Sequence, residues 1–185
     1  MQNTDRPLRF GQCRQRRCGA LLLLAAWAPT LTLTAQGVAA TAEVKAALVY
    51  NFLKFTEWPG EAASDPLVLC VVNPDRRTEA AFAAVHGRAI AQRPIQVRTL
   101  AAADSTTRCH LLYLHDGNAR ELQQLSAGQP ALLTVGDREN FVDAGGAIGL
   151  VELDGRMQFK VNLDVMRRGS YKVSAQLLKL AINNR

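Results

Sequence analysis

Three short runs in this chain, Leu67–Val72, Leu111–Leu114 and Ala131–Val135, are apolar at almost every position. A strand with one face in water alternates apolar and polar residues. Unbroken apolar runs of this length, bounded by turn residues, therefore predict strands buried on both faces. Pro66 and Asn73-Pro74 bound the first run, and Asp116-Gly117 follows the second. Between the runs, Thr78–His86 is closed by Gly87 and Ala119–Leu125 ends before Gly128, as short helices do. Ile95–Leu100 alternates apolar and polar residues, the pattern of a half-exposed strand. Strand and helix in alternation predict an α/β fold, a mainly parallel sheet flanked by helices.

The two ends of this pattern differ from its middle. Ala42–Trp58 reads as a helix ended by Pro59-Gly60, with Val44, Ala47, Leu48, Phe52, Phe55 and Trp58 on one stripe. Val49, Tyr50 and Leu53 fall outside that stripe and Asn51 inside it, so the helix is apolar on more than one side. Further on, Ile148–Leu153 and Met157–Asn162 flank Asp154-Gly155, with Arg156 opening the second run, a strong β-hairpin signal. Asn162 caps a helix over Leu163–Arg168, and Ser174 caps a last helix that turns Leu177, Leu178 and Ala181 inward. The expectation is a single α/β domain over residues 41–185, with a C-terminal β-hairpin and short helices.

Residues 1–40 read as an address. A basic stretch to residue 19, an apolar run Ala20–Leu33 and the small-residue site Val38-Ala39-Ala40 match a secretory signal peptide cleaved after Ala40. A retained membrane anchor is the competing reading. The run is shorter than the roughly 20 apolar residues a span needs, and it contains Pro29, Thr30 and Thr32. The protein is accordingly expected in the periplasm, exported and soluble. Much of the net charge of +6 sits in this leader, where Arg6, Arg9, Arg14, Arg16 and Arg17 face Asp5 alone. The rest is nearly neutral, which argues against a nucleic-acid partner. Cys13 and Cys18 leave with the leader, so Cys70 and Cys109 remain as a candidate disulfide in an oxidising compartment; two buried free thiols are the alternative.

Catalytic constellations are hard to find. There is no Gly-x-Ser-x-Gly elbow and no His-Glu-x-x-His pair, and His86, His110 and His115 form no set with ligand spacing. Gly145-Gly146-Ala147-Ile148-Gly149 precedes a hairpin and lacks the Lys-Ser/Thr of a phosphate loop, so tight turns explain it better. Asp137, Glu139 and Asp143 form an acidic loop after a strand, read here as a solvated loop. No enzyme activity, cofactor or metal is expected.

Two motifs resemble a known family. Val44-Lys45-Ala46-Ala47, then Tyr50-Asn51-Phe52 and Phe55-Thr56-Glu57-Trp58-Pro59, is similar to the N-terminal signature of the YfiR family. Gly145-Gly146, Ile148-Gly149, Gly155-Arg156, Phe159, Asn162-Leu163, Arg167-Arg168 and Ser174 through Leu177-Leu178, Leu180-Ala181 is similar to its C-terminal signature. The resemblance implies a periplasmic, often dimeric regulator that represses an inner-membrane diguanylate cyclase by contacting its periplasmic sensor region. It further implies an outer-membrane lipoprotein that draws the repressor away, with effects on cyclic di-GMP and biofilm. A sensor kinase is a second possible membrane partner, and a homodimer is expected. In the best-understood relative a disulfide supports the fold where Cys70 and Cys109 stand here. The second disulfide known there has no counterpart in this chain.

The first helix and the hairpin are the candidate contact surface, through Tyr50, Leu53, Phe159 and Val161, with core packing the alternative for each. Two rival readings are a periplasmic sensor holding a small ligand near Asp137 and an enzyme of unrecognised geometry. The export reading predicts a mature terminus at Thr41, measured as intact mass of the exported protein; a terminus at Met1 would reject it.

Overall fold

The computed structural model describes residues 34–62 and 64–182, with side chains from Thr41 onward. The expected signal segment lies largely outside the described residues, as does its side-chain chemistry. The elements in order are α1 (Thr34–Lys54), β1 (Thr56–Glu57), β2 (Leu67–Val72), α2 (Arg76–Ala83), β3 (Ala89–Ile90), β4 (Arg93–Leu100) and β5 (Leu111–Leu114). They continue with α3 (Ala119–Ser126), β6 (Leu133–Gly136), β7 (Ile148–Leu153), β8 (Arg156–Val161), α4 (Leu163–Arg168), β9 (Lys172–Val173) and α5 (Ala175–Leu178).

All residues of β2, β5 and β6 are buried, as unbroken apolar runs require. They lie in the middle of a seven-stranded sheet of order β3-β4-β2-β5-β6-β7-β8. The pairs β2–β4, β2–β5, β5–β6 and β6–β7 are parallel, and β3 and β8 close the edges in antiparallel fashion. Because side chains alternate along a strand, β2 serves two cores. Leu67, Leu69 and Val71 join Val49, Phe52 and Leu53 of α1 and Phe82 of α2. Val68, Cys70 and Val72 join Leu122 and Leu125 of α3. This is the α/β architecture expected, a mainly parallel sheet covered by helices on both faces.

The hairpin forms as its turn residues dictate. Leu153 pairs with Arg156, and the two residues between them, Asp154 and Gly155, both have positive φ, the conformation of the tight turns that match strand twist. Caps are placed where the side chains allow them. Asn118 and Glu121 form a reciprocal capping box on α3, and Asn162 Oδ1 accepts from the Val165 amide at the start of α4. Asp75 starts α2 two residues earlier than the apolar pattern did, accepting from the Thr78 amide.

The first helix departs from expectation in its end and in its phase. It stops at Lys54, and Thr56 and Glu57 pair antiparallel with Val173 and Lys172. Trp58 leaves the helix altogether, its indole N–H donating to the Ala131 carbonyl at 2.8 Å. The buried face runs through Ala42, Ala46, Val49, Phe52 and Leu53, whereas Val44 and Ala47 face outward and Asn51 is exposed. A helix apolar almost all round leaves its rotation undefined by periodicity, so the layer it packs on decides.

Cys70 in β2 and Cys109, just before β5, form a disulfide with Cα atoms 5.8 Å apart, on the face that α3 covers. It closes a loop across a sequence separation of 39. In the loop-entropy account a link of that span contributes about 4 kcal/mol. The double variant C70A/C109A is therefore expected to show a clearly lower urea midpoint than the oxidised protein. Equal midpoints would show that the link carries no such load.

Candidate functional site

The first strand of the sheet, β2, leads through α2 to β4 on one side, and the chain then returns to β5 on the other. Where connections diverge in this way, the carboxyl ends of the strands form the usual ligand crevice of open α/β sheets. Here that end carries Asp75, His115, Asp116 and Asp137. Asp137 follows β6 directly, and its side chain is only 4% exposed. Its Oδ2 accepts from Lys45 Nζ at 2.7 Å, from the Tyr113 hydroxyl at 2.7 Å and from His115 Nδ1 at 3.0 Å. Its Oδ1 accepts from the Asp116 amide at 2.9 Å.

Burial alone would push the Asp137 carboxyl up, but the donors Lys45, the Asp116 amide and Tyr113 together outweigh it and hold it below the ordinary carboxylate range. Tyr113 is driven the other way, by burial first and by the Asp137 charge second, and stays a protonated donor. A carboxylate with four donors on two oxygens has little left to offer a substrate. Its effect is mechanical: Lys45 ties α1 to the carboxyl end of the sheet. Asp137 is thus no part of a solvated loop, whereas Glu139 and Asp143 are exposed as expected.

The histidines are each engaged separately. His110 Nδ1 accepts from the Val68 amide at 2.9 Å, so its proton sits on Nε2 and donates to Glu61 Oε2 at 2.8 Å. Arg93 also donates to that carboxylate, at 2.7 Å. Burial would raise the Glu61 pKa, yet hydrogen bonds from Arg93 and His110 bring it below the usual value. His86 Nδ1 accepts from the Val97 amide at 3.1 Å. Among the described residues no group of three or more His, Cys, Asp or Glu is placed to hold a metal ion. Gly145 has φ near 99°, and a Cβ on Gly146 would fall 2.1 Å from the Phe141 ring, so these glycines serve a turn and a close approach.

Three of the four residues expected at a partner surface are interior. Leu53 is fully buried, Val161 is 2% exposed and Phe159 is 5% exposed, meeting Phe52 edge-on at 5.0 Å between ring centres. They cannot touch a partner while the domain is folded, because α1 and β8 cover each other. Tyr50 is half-buried. Its hydroxyl donates to the Ala89 carbonyl at 3.4 Å, and Arg88 lies over its ring at 4.4 Å. Arg88 borders a groove of about 390 Å³ between α1 and α2, floored by Ala46, Ala47, Ala80 and Ala84, with Arg77 and Glu43 also lining it. Sequence reasoning missed this groove, although closely spaced alanines on two neighbouring helices were its visible signal.

The model of the YfiR/HmsC-like family matches residues 42–182. The chain belongs to that family. The match covers every β-strand and helices α2 to α5, and it agrees with both signatures read from the sequence. YfiR/HmsC-like proteins are a regulatory family, and in this member the signature residues are structural anchors. Lys45 holds Asp137, Trp58 holds the Ala131 carbonyl, Asn162 caps α4, and Ser174 Oγ accepts from the Gln176 amide to cap α5. Among the described residues no helix is long and apolar enough to cross a membrane.

Asp137→Asn keeps the shape of the anchor and removes its charge, leaving Lys45 without a buried counter-ion. A loss of about 3 kcal/mol at neutral pH is expected for breaking such a pair. Because the folded carboxyl titrates below its unfolded value, that contribution is complete above about pH 4 and fades as pH falls through the folded-state pKa. Urea midpoints of wild type and D137N should therefore converge in acid; a gap independent of pH would contradict the charge argument.

Proposed function

We propose that this chain acts in the periplasm as a repressor of an inner-membrane signalling enzyme, a diguanylate cyclase, by binding its periplasmic sensor region. Membership of the YfiR/HmsC-like family over residues 42–182 carries this reading. A periplasmic protein has no access to cytoplasmic nucleotide, so its effect must pass through a partner that has two states. Preferential binding to the inactive state by about 1.4 kcal/mol shifts that equilibrium tenfold. A sensor kinase with a similar periplasmic region would be restrained by the same means. A homodimer is the acting form in this scheme, and an outer-membrane lipoprotein that competes for it relieves the repression.

The contact surface in this proposal is the groove between α1 and α2 beside Tyr50, in place of the interior residues Leu53, Phe159 and Val161. Small side chains on both helices let a partner backbone approach closely, and Glu43, Arg77 and Arg88 place charges of both signs at its rim, with basic groups in excess. Ala47 and Ala84 are exposed, so a larger residue at either position fills the groove without entering the core. Ala47→Arg and Ala84→Arg are expected to keep the wild-type melting temperature, to abolish co-purification with the cyclase and to raise cellular cyclic di-GMP. Unchanged co-purification would remove the groove from the proposal. Unchanged cyclic di-GMP after deletion of the whole gene would remove the repressor role itself.

A further inference from the structure

A second cleft, of about 350 Å³, lies between the segment after α3 and the segment that joins α4 to β9. Its lining includes Pro130, Leu132, Thr134, Val165, Arg168 and Tyr171, and among the described residues no acidic side chain contributes to it. Tyr171 is only 6% exposed, yet its hydroxyl has no hydrogen-bond partner among the described residues. A buried donor without an acceptor is unusual, since folded proteins pair nearly all such groups or leave them for a ligand or water. The ring has little freedom to find another partner. Gly169 packs so closely that a Cβ there would fall 2.5 Å from Tyr171 Cε1, and the Trp58 ring lies 6.5 Å away.

Two further donors share the cleft. Thr134 is 3% exposed, and its Oγ1 accepts from the Ala147 amide at 3.0 Å, which leaves the hydroxyl proton to donate elsewhere. Arg168, in the last turn of α4, has no ion pair among the described residues. The carbonyls at that helix end, of Val165 and Met166, are already bonded by the Gly169 amide and so compete little for a ligand. Burial pushes the Tyr171 pKa up to about 12, which keeps the phenol a neutral donor at any pH the protein meets. Hydroxyl donors and a guanidinium without a carboxylate select an oxyanion, while Pro130, Leu132 and Val165 provide an apolar wall.

We propose that this cleft binds a small organic anion, a carboxylate or phosphate group on a compact apolar body, with Tyr171 and Thr134 donating to it and Arg168 neutralising it. The inference does not rest on the repressor reading, and its failure would leave that reading untouched.

The test is calorimetric titration and thermal melting of the purified protein at low ionic strength, with benzoate, phenyl phosphate and benzylamine as probes. At least one of the two anions is expected to bind and raise the melting temperature, and the one that does so distinguishes carboxylate from phosphate. Benzylamine, of opposite charge, should do neither. Tyr171→Phe deletes the unpaired hydroxyl alone. It should hold or raise the melting temperature of the ligand-free protein and weaken anion binding at least tenfold. Arg168→Gln should weaken binding comparably and flatten its salt dependence. The proposal is overturned if neither anion binds at millimolar concentration or if benzylamine binds as well. It is equally overturned if both variants bind like wild type, or if Tyr171→Phe destabilises the ligand-free protein.

Discussion

The fold depends on a strand with no side that can face water. All six residues of Leu67–Val72 are buried, three toward the α1–α2 layer and three toward α3. Burying a Val or Leu side chain contributes about 1.5–3 kcal/mol, so this one strand involves free energy comparable with the whole net stability of a small domain. Neither face can be left open. Its backbone needs strands on both flanks, which β4 and β5 provide, and its side chains need a layer above and below. The remaining elements are largely answers to those requirements.

Apolar burial sets the layers but not how each helix lies on them. That is settled by a few polar and covalent anchors at opposite ends of the sheet. Lys45 reaches Asp137 at the carboxyl end, and the Trp58 indole reaches the Ala131 carbonyl near the amino end, so α1 and the segment after it are pinned at two points. The disulfide joins β2 to the entrance of β5 on the opposite face. With α1 fixed in this way, the groove it forms with α2 is part of the packed domain. The family signature residues thus act within the fold as anchors that fix the shape of the domain.

The same anchors show why polar groups near a sheet end need to be counted before they are read as chemistry. Asp137 sits where α/β proteins hold ligands, yet four donors already occupy it. Tyr171 is in a less conspicuous place, between a short helix and a two-residue strand, and its hydroxyl has no partner among the described residues. Unmet hydrogen-bonding capacity distinguishes the two more sharply than position does.

By itself the sequence determined the layer architecture, because continuous apolar runs admit only a doubly covered sheet. It also determined the hairpin at Asp154-Gly155 and the caps at Asn118, Asn162 and Ser174, which depend on residues a few positions apart. Both family signatures were legible in the same local way. The rotation of α1 was not, since a helix apolar on several sides has no preferred face until a sheet selects one. For that reason the sequence left Leu53, Phe159 and Val161 open between partner contact and core packing, and only the fold, in which α1 covers the inner side of the hairpin, places all three inside. The pairing of Thr56 with Val173, the meeting of Lys45 with Asp137 and the isolation of the Tyr171 hydroxyl join or separate residues far apart in the chain. Only tertiary packing decides such distances, because it brings together groups that no local pattern relates.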